Sequence, residues 1–129
     1  MNGKPLLLMD WMIMSDIFPS RGDIWLANLN PTIGREQSGL RPCLVVSVDQ
    51  FNHGPAELVI VVPLTSRDKS IPLHVRVAGN DTGLNAVSFI KTEDVRSVSR
   101  KRLVKKTGTV SGRIMDEVID CIKILLDIS

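Results

Sequence analysis

At 129 residues with 43% hydrophobic content, the chain is one globular domain, large enough to bury a core without staples and too apolar to be disordered. A formal net charge of +2 does not demand a polyanionic partner, so any nucleic-acid surface must come from where the cations cluster. Tyr is absent and aromatics make up 4%, which argues against a base-stacking platform; the two cysteines, Cys43 and Cys121, lack CxxC spacing and read as buried free thiols.

Residues 6–14 (Leu-Leu-Leu-Met-Asp-Trp-Met-Ile-Met) are apolar but far shorter than the roughly 20 residues of a membrane helix, and Asp10 interrupts them. Lys4 precedes the run as in a signal peptide, yet no small-residue cleavage site follows cleanly. Residues 1–20 are therefore expected to form an N-terminal extension outside the core, with the domain over residues 21–129 and no membrane partner. A cytoplasmic protein is expected.

Strand signals dominate residues 21–110. Residues 22–29 and 42–48 form the first expected pair. Between them residues 31–42 (Pro-Thr-Ile-Gly-Arg-Glu-Gln-Ser-Gly-Leu-Arg-Pro) form a polar loop longer than a tight hairpin requires. Long polar loops on rigid sheets are where binding and chemistry tend to sit. Residues 58–64 are a continuous run of mostly β-branched residues, as expected of a strand buried on both faces. Residues 71–77 alternate, with Ile71, Leu73, Val75 and Val77 on one face. Strands are also expected over 86–90, near 95–99 and near 107–110. The tail then changes period. Ile114, Met115, Val118, Ile119, Ile122, Leu125 and Leu126 make one helical stripe, with Ser111 as its N-cap and Asp116 and Glu117 early in the helix. The fold class is mainly β: a small, strongly bent sheet or barrel with one amphipathic helix packed on it.

The residues exclude several chemistries. His53 and His74 sit in no HxH or HExxH spacing and the acids are scattered, so no metal site and no cofactor are expected. There is no GxSxG, P-loop or GxGxxG motif. What remains is a set of Arg, Thr, Ser, Gln and Glu side chains at strand ends. If strands two and three are antiparallel neighbours, Arg41 at the start of one lies beside Thr65 and Ser66 at the end of the other. Guanidinium plus hydroxyl suits an oxyanion with several acceptors, such as a phosphodiester. A structural Arg–carboxylate pair with a turn-capping Thr is the competing reading. Arg96, Arg100, Lys101, Arg102, Lys105 and Lys106 form a basic run that either grips phosphates or is a solvated hairpin.

One resemblance covers residues 21–129. Arg21-Gly22-Asp23-Ile24-Trp25-Leu26, Asn30-Pro31-Thr32, Gly34-Arg35-Glu36-Gln37-Ser38-Gly39 and Arg41-Pro42 resemble the N-terminal signature of the MazF/PemK toxin family. Asn52 after Phe51, Val62-Pro63-Leu64-Thr65-Ser66, Val95-Arg96-Ser97-Val98, Lys101-Arg102-Leu103 and the final helix agree with it. The resemblance implies an SH3-like barrel with a C-terminal helix, acting as a homodimer. It implies a sequence-specific, metal-independent endoribonuclease that cuts single-stranded RNA, leaving a 2′,3′-cyclic phosphate and a 5′-hydroxyl. It also implies a cognate antitoxin whose disordered tail crosses the RNA groove at the dimer interface, with DNA contacted only through that complex. By the same resemblance the catalytic pair falls on Arg41 and Thr65, and Glu36 and Gln37 place substrate or gate the site. Arg35, Ser38, Ser66, Lys91, Glu93 and Arg96 then line the RNA path.

The chain departs from the pattern in places. Arg35 stands where many members have Ser and the Kid-like branch has His. Lys91 and Glu93 stand where that branch has Arg and Asp, and Asp94 where a Gln is common. Proton transfer by Arg41 and Thr65 or by Lys91 and Glu93 both remain open at this point. Two further readings keep the barrel. One is a gyrase-poisoning toxin resembling CcdB, which acts through an aromatic near the C-terminus; this chain ends Leu125-Leu126-Asp127-Ile128-Ser129. The other is an inactive homologue that only binds its partner.

Overall fold

A computed structural model describes residues 18–34, 36–79 and 82–129 of the chain. Residues 1–17 of the expected extension over residues 1–20, and Arg35, lie outside the described residues. In chain order the elements are β1 (Asp23–Asn28), β2 (Leu40–Val45), the single-turn helix α1 (Asp49–Asn52), β3 (Leu58–Thr65), β4 (His74–Val77), β5 (Ser88–Lys91), β6 (Arg96–Ser99), β7 (Leu103–Thr109) and helix α2 (Gly112–Leu126). Among the described residues seven strands form one antiparallel sheet in the order β4-β5-β3-β2-β1-β7, with β6 also paired to β3. The mainly-β architecture with one long C-terminal helix is the one the sequence predicts.

Strand β3 is the hub. One edge carries β2, with Cys43 opposite Pro63 and Val45 opposite Val61. The other edge carries β6 along residues 58–61 and then β5 at Leu64 and Thr65. Pro63 has no N–H to give a ladder and falls where the partner changes from β6 to β5. A 3₁₀ turn over residues 92–94 links β5 to β6 at this corner.

Alternation along β1–β3 feeds two cores. Ile24, Leu44, Val62 and Leu64 pack with Val75, Val77 and Ile90 beneath Ile114, Met115 and Val118 of α2. Trp25, Ala27, Cys43, Val45, Val59 and Val61 pack on the opposite face with Leu29 and Val98. Each large side chain so buried contributes about 1.5–3 kcal/mol, so the sheet is covered on both faces and rigid where β2 meets β3. Ser111 caps α2, its hydroxyl accepting the Ile114 N–H at 3.3 Å. The buried Asn52 ties α1 to the sheet: it donates to the Ser47 carbonyl at 2.9 Å and accepts from the Ser47 hydroxyl. Residues 18–20 pack on the body, with the Phe18 ring 5.5 Å from His53 and under the Arg100 guanidinium at 5.3 Å.

Some element bounds differ from expectation. Residues 71–73 form a turn, closed by His74 N–H donating to the Ile71 carbonyl at 3.0 Å, so β4 begins only at His74. Strand β2 stops at Val45 rather than residue 48. Strand β7 begins at Leu103, four residues ahead of the expected 107, and takes Lys105 and Lys106 into the ladder opposite Leu26 and Trp25.

Candidate active site

In an antiparallel pair, residues opposite one another share a face. Continuing the β2–β3 register by two positions beyond Cys43–Pro63 sets Arg41 opposite Thr65. Both line a recess of about 310 Å³ together with Gln37, Ser66, Arg67 and Lys69. Three cations and no carboxylate line it, so it favours an anion. Arg41 is exposed, and its Nε donates to the Ser38 carbonyl at 3.0 Å. That bond fixes the plane of the guanidinium and leaves the two terminal nitrogens without a partner among the described residues. The Thr65 hydroxyl accepts the Arg67 N–H at 3.2 Å, which orients it and leaves its own proton to donate.

The loop before β2 reaches the recess because the far corner of the sheet holds it. Gln37 N–H donates to Asp94 Oδ2 at 2.8 Å, and Arg96 Nη2 donates to the Gln37 carbonyl at 2.7 Å. Arg96 Nη2 also meets Asp94 Oδ2 at 3.2 Å, and its Nη1 lies 3.6 Å from Glu36. Lys91 Nζ donates to Gln37 Oε1 at 3.4 Å. Gly39, with φ of +81°, turns the chain from the loop into β2, a conformation that costs a residue with a Cβ about 1–2 kcal/mol.

A second recess, of about 420 Å³, is lined by Glu36, Lys69, Ile71, Lys91, Glu93 and Asp94. Lys69 borders both recesses. Glu93 is engaged by His74, whose Nε2 lies 2.9 Å from the carboxylate, while the buried His74 Nδ1 has no hydrogen-bond partner among the described residues. Lys91 Nζ lies 3.9 Å from Asp94 Oδ2, so Lys91 and Glu93 have different partners within the same recess.

The structure brings Arg41, Thr65, Ser66 and Gln37 together at the first recess, and Glu36, Lys91 and Glu93 at the second. Ser38 contributes its carbonyl. Arg96 faces inward and spends its guanidinium on the loop, with its side chain only 17% exposed. Arg67, Lys69, His74 and Asp94 join these places beyond the residues the sequence pattern marks for them. The polar run Arg67-Asp68-Lys69 after Thr65 and Ser66 was an available signal for the first two.

The basic run does not form one patch. Arg100 donates to the Asn52 carbonyl at 2.8 Å, Arg102 donates to the Asn28 and Asn30 carbonyls, and Lys106 pairs with Asp23 at 3.4 Å. Lys101 and Lys105 remain exposed. Cys43 is buried, and desolvation pushes its thiol up to about 12, so it is no nucleophile; Cys121 is half-buried and raised mainly by the same cause. Among the described residues, no three His, Cys, Asp or Glu side chains gather as a metal site, and no helix is long and apolar enough to cross a membrane.

A family model described as PemK-like, MazF-like toxin of type II toxin-antitoxin system matches residues 20–126. The chain is 32% identical over 107 residues to Endoribonuclease EndoA of Bacillus subtilis, covering 82% of this chain and 92% of that protein. Among solved structures it is similar to MazF of Deinococcus radiodurans, with TM-score 0.77 and 28% identity over 85% of this chain and 97% of the other. A chain of a MazE-MazF structure from the same organism matches with TM-score 0.72 and 29% identity, over 87% and 98%.

Proposed function

We propose that this chain, which belongs to the family of PemK-like, MazF-like toxins of type II toxin–antitoxin systems, is an endoribonuclease that cuts single-stranded mRNA and so stops translation and growth. The observation that carries the reading is the meeting of Arg41 and Thr65 in a recess lined by three cations. The endoribonuclease named among its relatives supports it.

The chemistry follows from the side chains present. The RNA 2′-hydroxyl attacks the adjacent phosphorus. The O2′–P bond forms, the P–O5′ bond breaks, and one proton leaves the 2′-oxygen while one reaches the 5′-oxygen. The products are a 2′,3′-cyclic phosphate and a 5′-hydroxyl. The crowded phosphorane carries extra negative charge, which Arg41 stabilises through its free terminal N–H groups. Thr65 donates to a non-bridging oxygen, and Ser66, Arg67 and Lys69 hold the flanking backbone. No carboxylate or imidazole lines this recess, so charge stabilisation rather than a strong base carries the rate. Glu93, already held by His74, supports the Arg41–Thr65 scheme over a Lys91–Glu93 one. Glu36, Gln37 and the loop around Arg35 form one wall of the RNA path, where target sequence is read. The scheme uses no metal and no cofactor.

A cognate antitoxin is the expected partner, supported by the family description and by the similar chain solved as MazE-MazF. The active unit is a homodimer in the cytoplasm. The test is incubation of the purified protein with mixed-sequence RNA in EDTA, followed by mapping of the ends. Cyclic phosphates are expected; 3′-hydroxyl ends or a strict metal requirement would refute the scheme. A supercoiling assay separates it from gyrase poisoning.

A further inference from the structure

We infer that Asp94 and Arg96 are positioning residues that set the Arg41 guanidinium from the opposite corner of the sheet, acting through the backbone of Gln37 and Ser38. The inference rests on the Arg41–Thr65 ribonuclease reading for its consequence, though not for its geometry. Three groups close a ring: Gln37 N–H donates to Asp94 Oδ2 at 2.8 Å, Arg96 Nη2 donates to the Gln37 carbonyl at 2.7 Å, and Arg96 Nη2 meets Asp94 Oδ2 at 3.2 Å. The peptide unit of Gln37 is therefore gripped on both its donor and its acceptor. The next carbonyl, that of Ser38, accepts Arg41 Nε–H at 3.0 Å.

The grip has the character of a constraint. The side chains of Asp94 and Arg96 are 13% and 17% exposed, so their bonds are screened less than surface pairs. Arg96 Nε is buried without a partner among the described residues, so its guanidinium is oriented through its Nη atoms, by the Gln37 carbonyl, Asp94 and Glu36. Just past Ser38 the chain is tied again, with Leu29 N–H donating to the Gly39 carbonyl at 2.9 Å and Gly39 N–H to Asn30 Oδ1 at 3.0 Å. The Ser38 carbonyl sits between these two anchors and has little freedom. Arg41 is otherwise an exposed, flexible side chain at a strand end. Without a fixed acceptor for Nε it would sample many rotamers, and its terminal N–H groups would not be aimed at the phosphorane. A misplacement of this kind costs rate rather than affinity, because Arg67 and Lys69 still attract the backbone.

The experiment pairs kinetics with a direct view of Arg41. Cleavage of a long mixed-sequence transcript is followed at saturating protein, and affinity is measured with the same transcript carrying 2′-fluoro groups, which cannot be cut. The ¹⁵N spectrum of arginine Nε–H groups is recorded in parallel, with the Arg41 signal assigned by its loss in Arg41→Ala. Asp94→Ala is expected to slow cleavage by about 10-fold to 100-fold. It should change the affinity less than about twofold, shift the Arg41 Nε–H signal, and cause no further loss in an Arg41→Ala background. Asp94→Asn keeps an oxygen for the Gln37 N–H and should fall between Asp94→Ala and the native protein; it carries the test if the alanine variant does not fold. The inference is overturned by an unshifted Arg41 signal, by losses that multiply in the Arg41→Ala background, or by faster cleavage, which would make the ring a latch that holds the loop shut. A native protein that cuts no RNA while Asp94→Ala still shifts the Arg41 signal would sink the ribonuclease reading and leave the positioning relay standing.

Discussion

Replacing Arg41 probes the proposed chemistry most directly. One of its five N–H groups is spent on the Ser38 carbonyl, and the four on its terminal nitrogens, without a partner among the described residues, are left for the proposed phosphate. Loss of one preorganised donor at a developing oxyanion costs about 2.7–4 kcal/mol, or 10²–10³ in rate. Arg41→Ala removes the donors and their charge together, so a fall of at least about 10² in the single-turnover rate is expected. Arg67 and Lys69 remain in the recess, so affinity for uncleavable RNA should fall by no more than about 10-fold. Arg41→Lys keeps the charge but loses the planar fork and the Nε anchor, and should sit between the two. The assay is a single-turnover time course in EDTA, with affinity measured separately on a 2′-fluoro transcript. The reasoning fails if Arg41→Ala cleaves within about threefold of native, or if its whole loss lies in binding, since transition-state stabilisation must appear in the rate.

Three stability predictions follow from the surrounding structure. Asn52→Ala leaves the Ser47 carbonyl without its donor and opens a void beside β3; urea unfolding should show a loss of about 2–4 kcal/mol. Gly83 has φ of +70°, and a Cβ there would lie 1.9 Å from the Thr107 carbonyl oxygen in β7. Gly83→Ala should therefore cost at least about 3 kcal/mol in the same assay, and a near-native midpoint would contradict the packing of that turn on β7. Burial pushes the Cys43 thiol up from its ordinary 9.0 to about 12. Between those pH values the unfolded chain's thiol binds fewer protons than the folded one's, so its contribution to stability is full below pH 9 and is lost as pH rises toward 12. The slope reaches about 1.4 kcal/mol per pH unit and should flatten in Cys43→Val; equal slopes would mean the thiol is not desolvated.

How far the sequence could be read depended on where each signal is written. The β-branched run of β3 and the stripe of α2 are written in side-chain pattern, and both elements stand where expected. Arg41 and Thr65 met because two neighbouring antiparallel strands leave little choice about which ends adjoin. Strand β7 was less legible because its ladder with β1 shifts register twice, between Ile24 and Trp25 and between Leu26 and Ala27, which breaks the two-residue period. Ile71 and Leu73 extend the alternation of β4 but belong to a turn, since two apolar residues spaced by one fit either form. The Asp94–Arg96 ring was invisible for a different reason. It grips the backbone of Gln37 from 57 and 59 residues away, and a bond to a peptide group leaves no mark on the residue type at the far end.

The change of partner along β3 gives the site two mechanical halves. Thr65 ends the central strand of the sheet and is laddered to Phe89 of β5, so its backbone is held by the sheet itself. Arg41 takes its aim from a loop held by side-chain bonds from Asp94, Arg96 and Asn30 rather than by a strand ladder, so its hold can be broken without unfolding the sheet. One half is thus a fixed reference point and the other an adjustable pointer. Substitutions in the loop can redirect what the site acts on without disturbing the hydroxyl it acts with, and a partner that captures the loop can disarm the site while leaving the fold untouched.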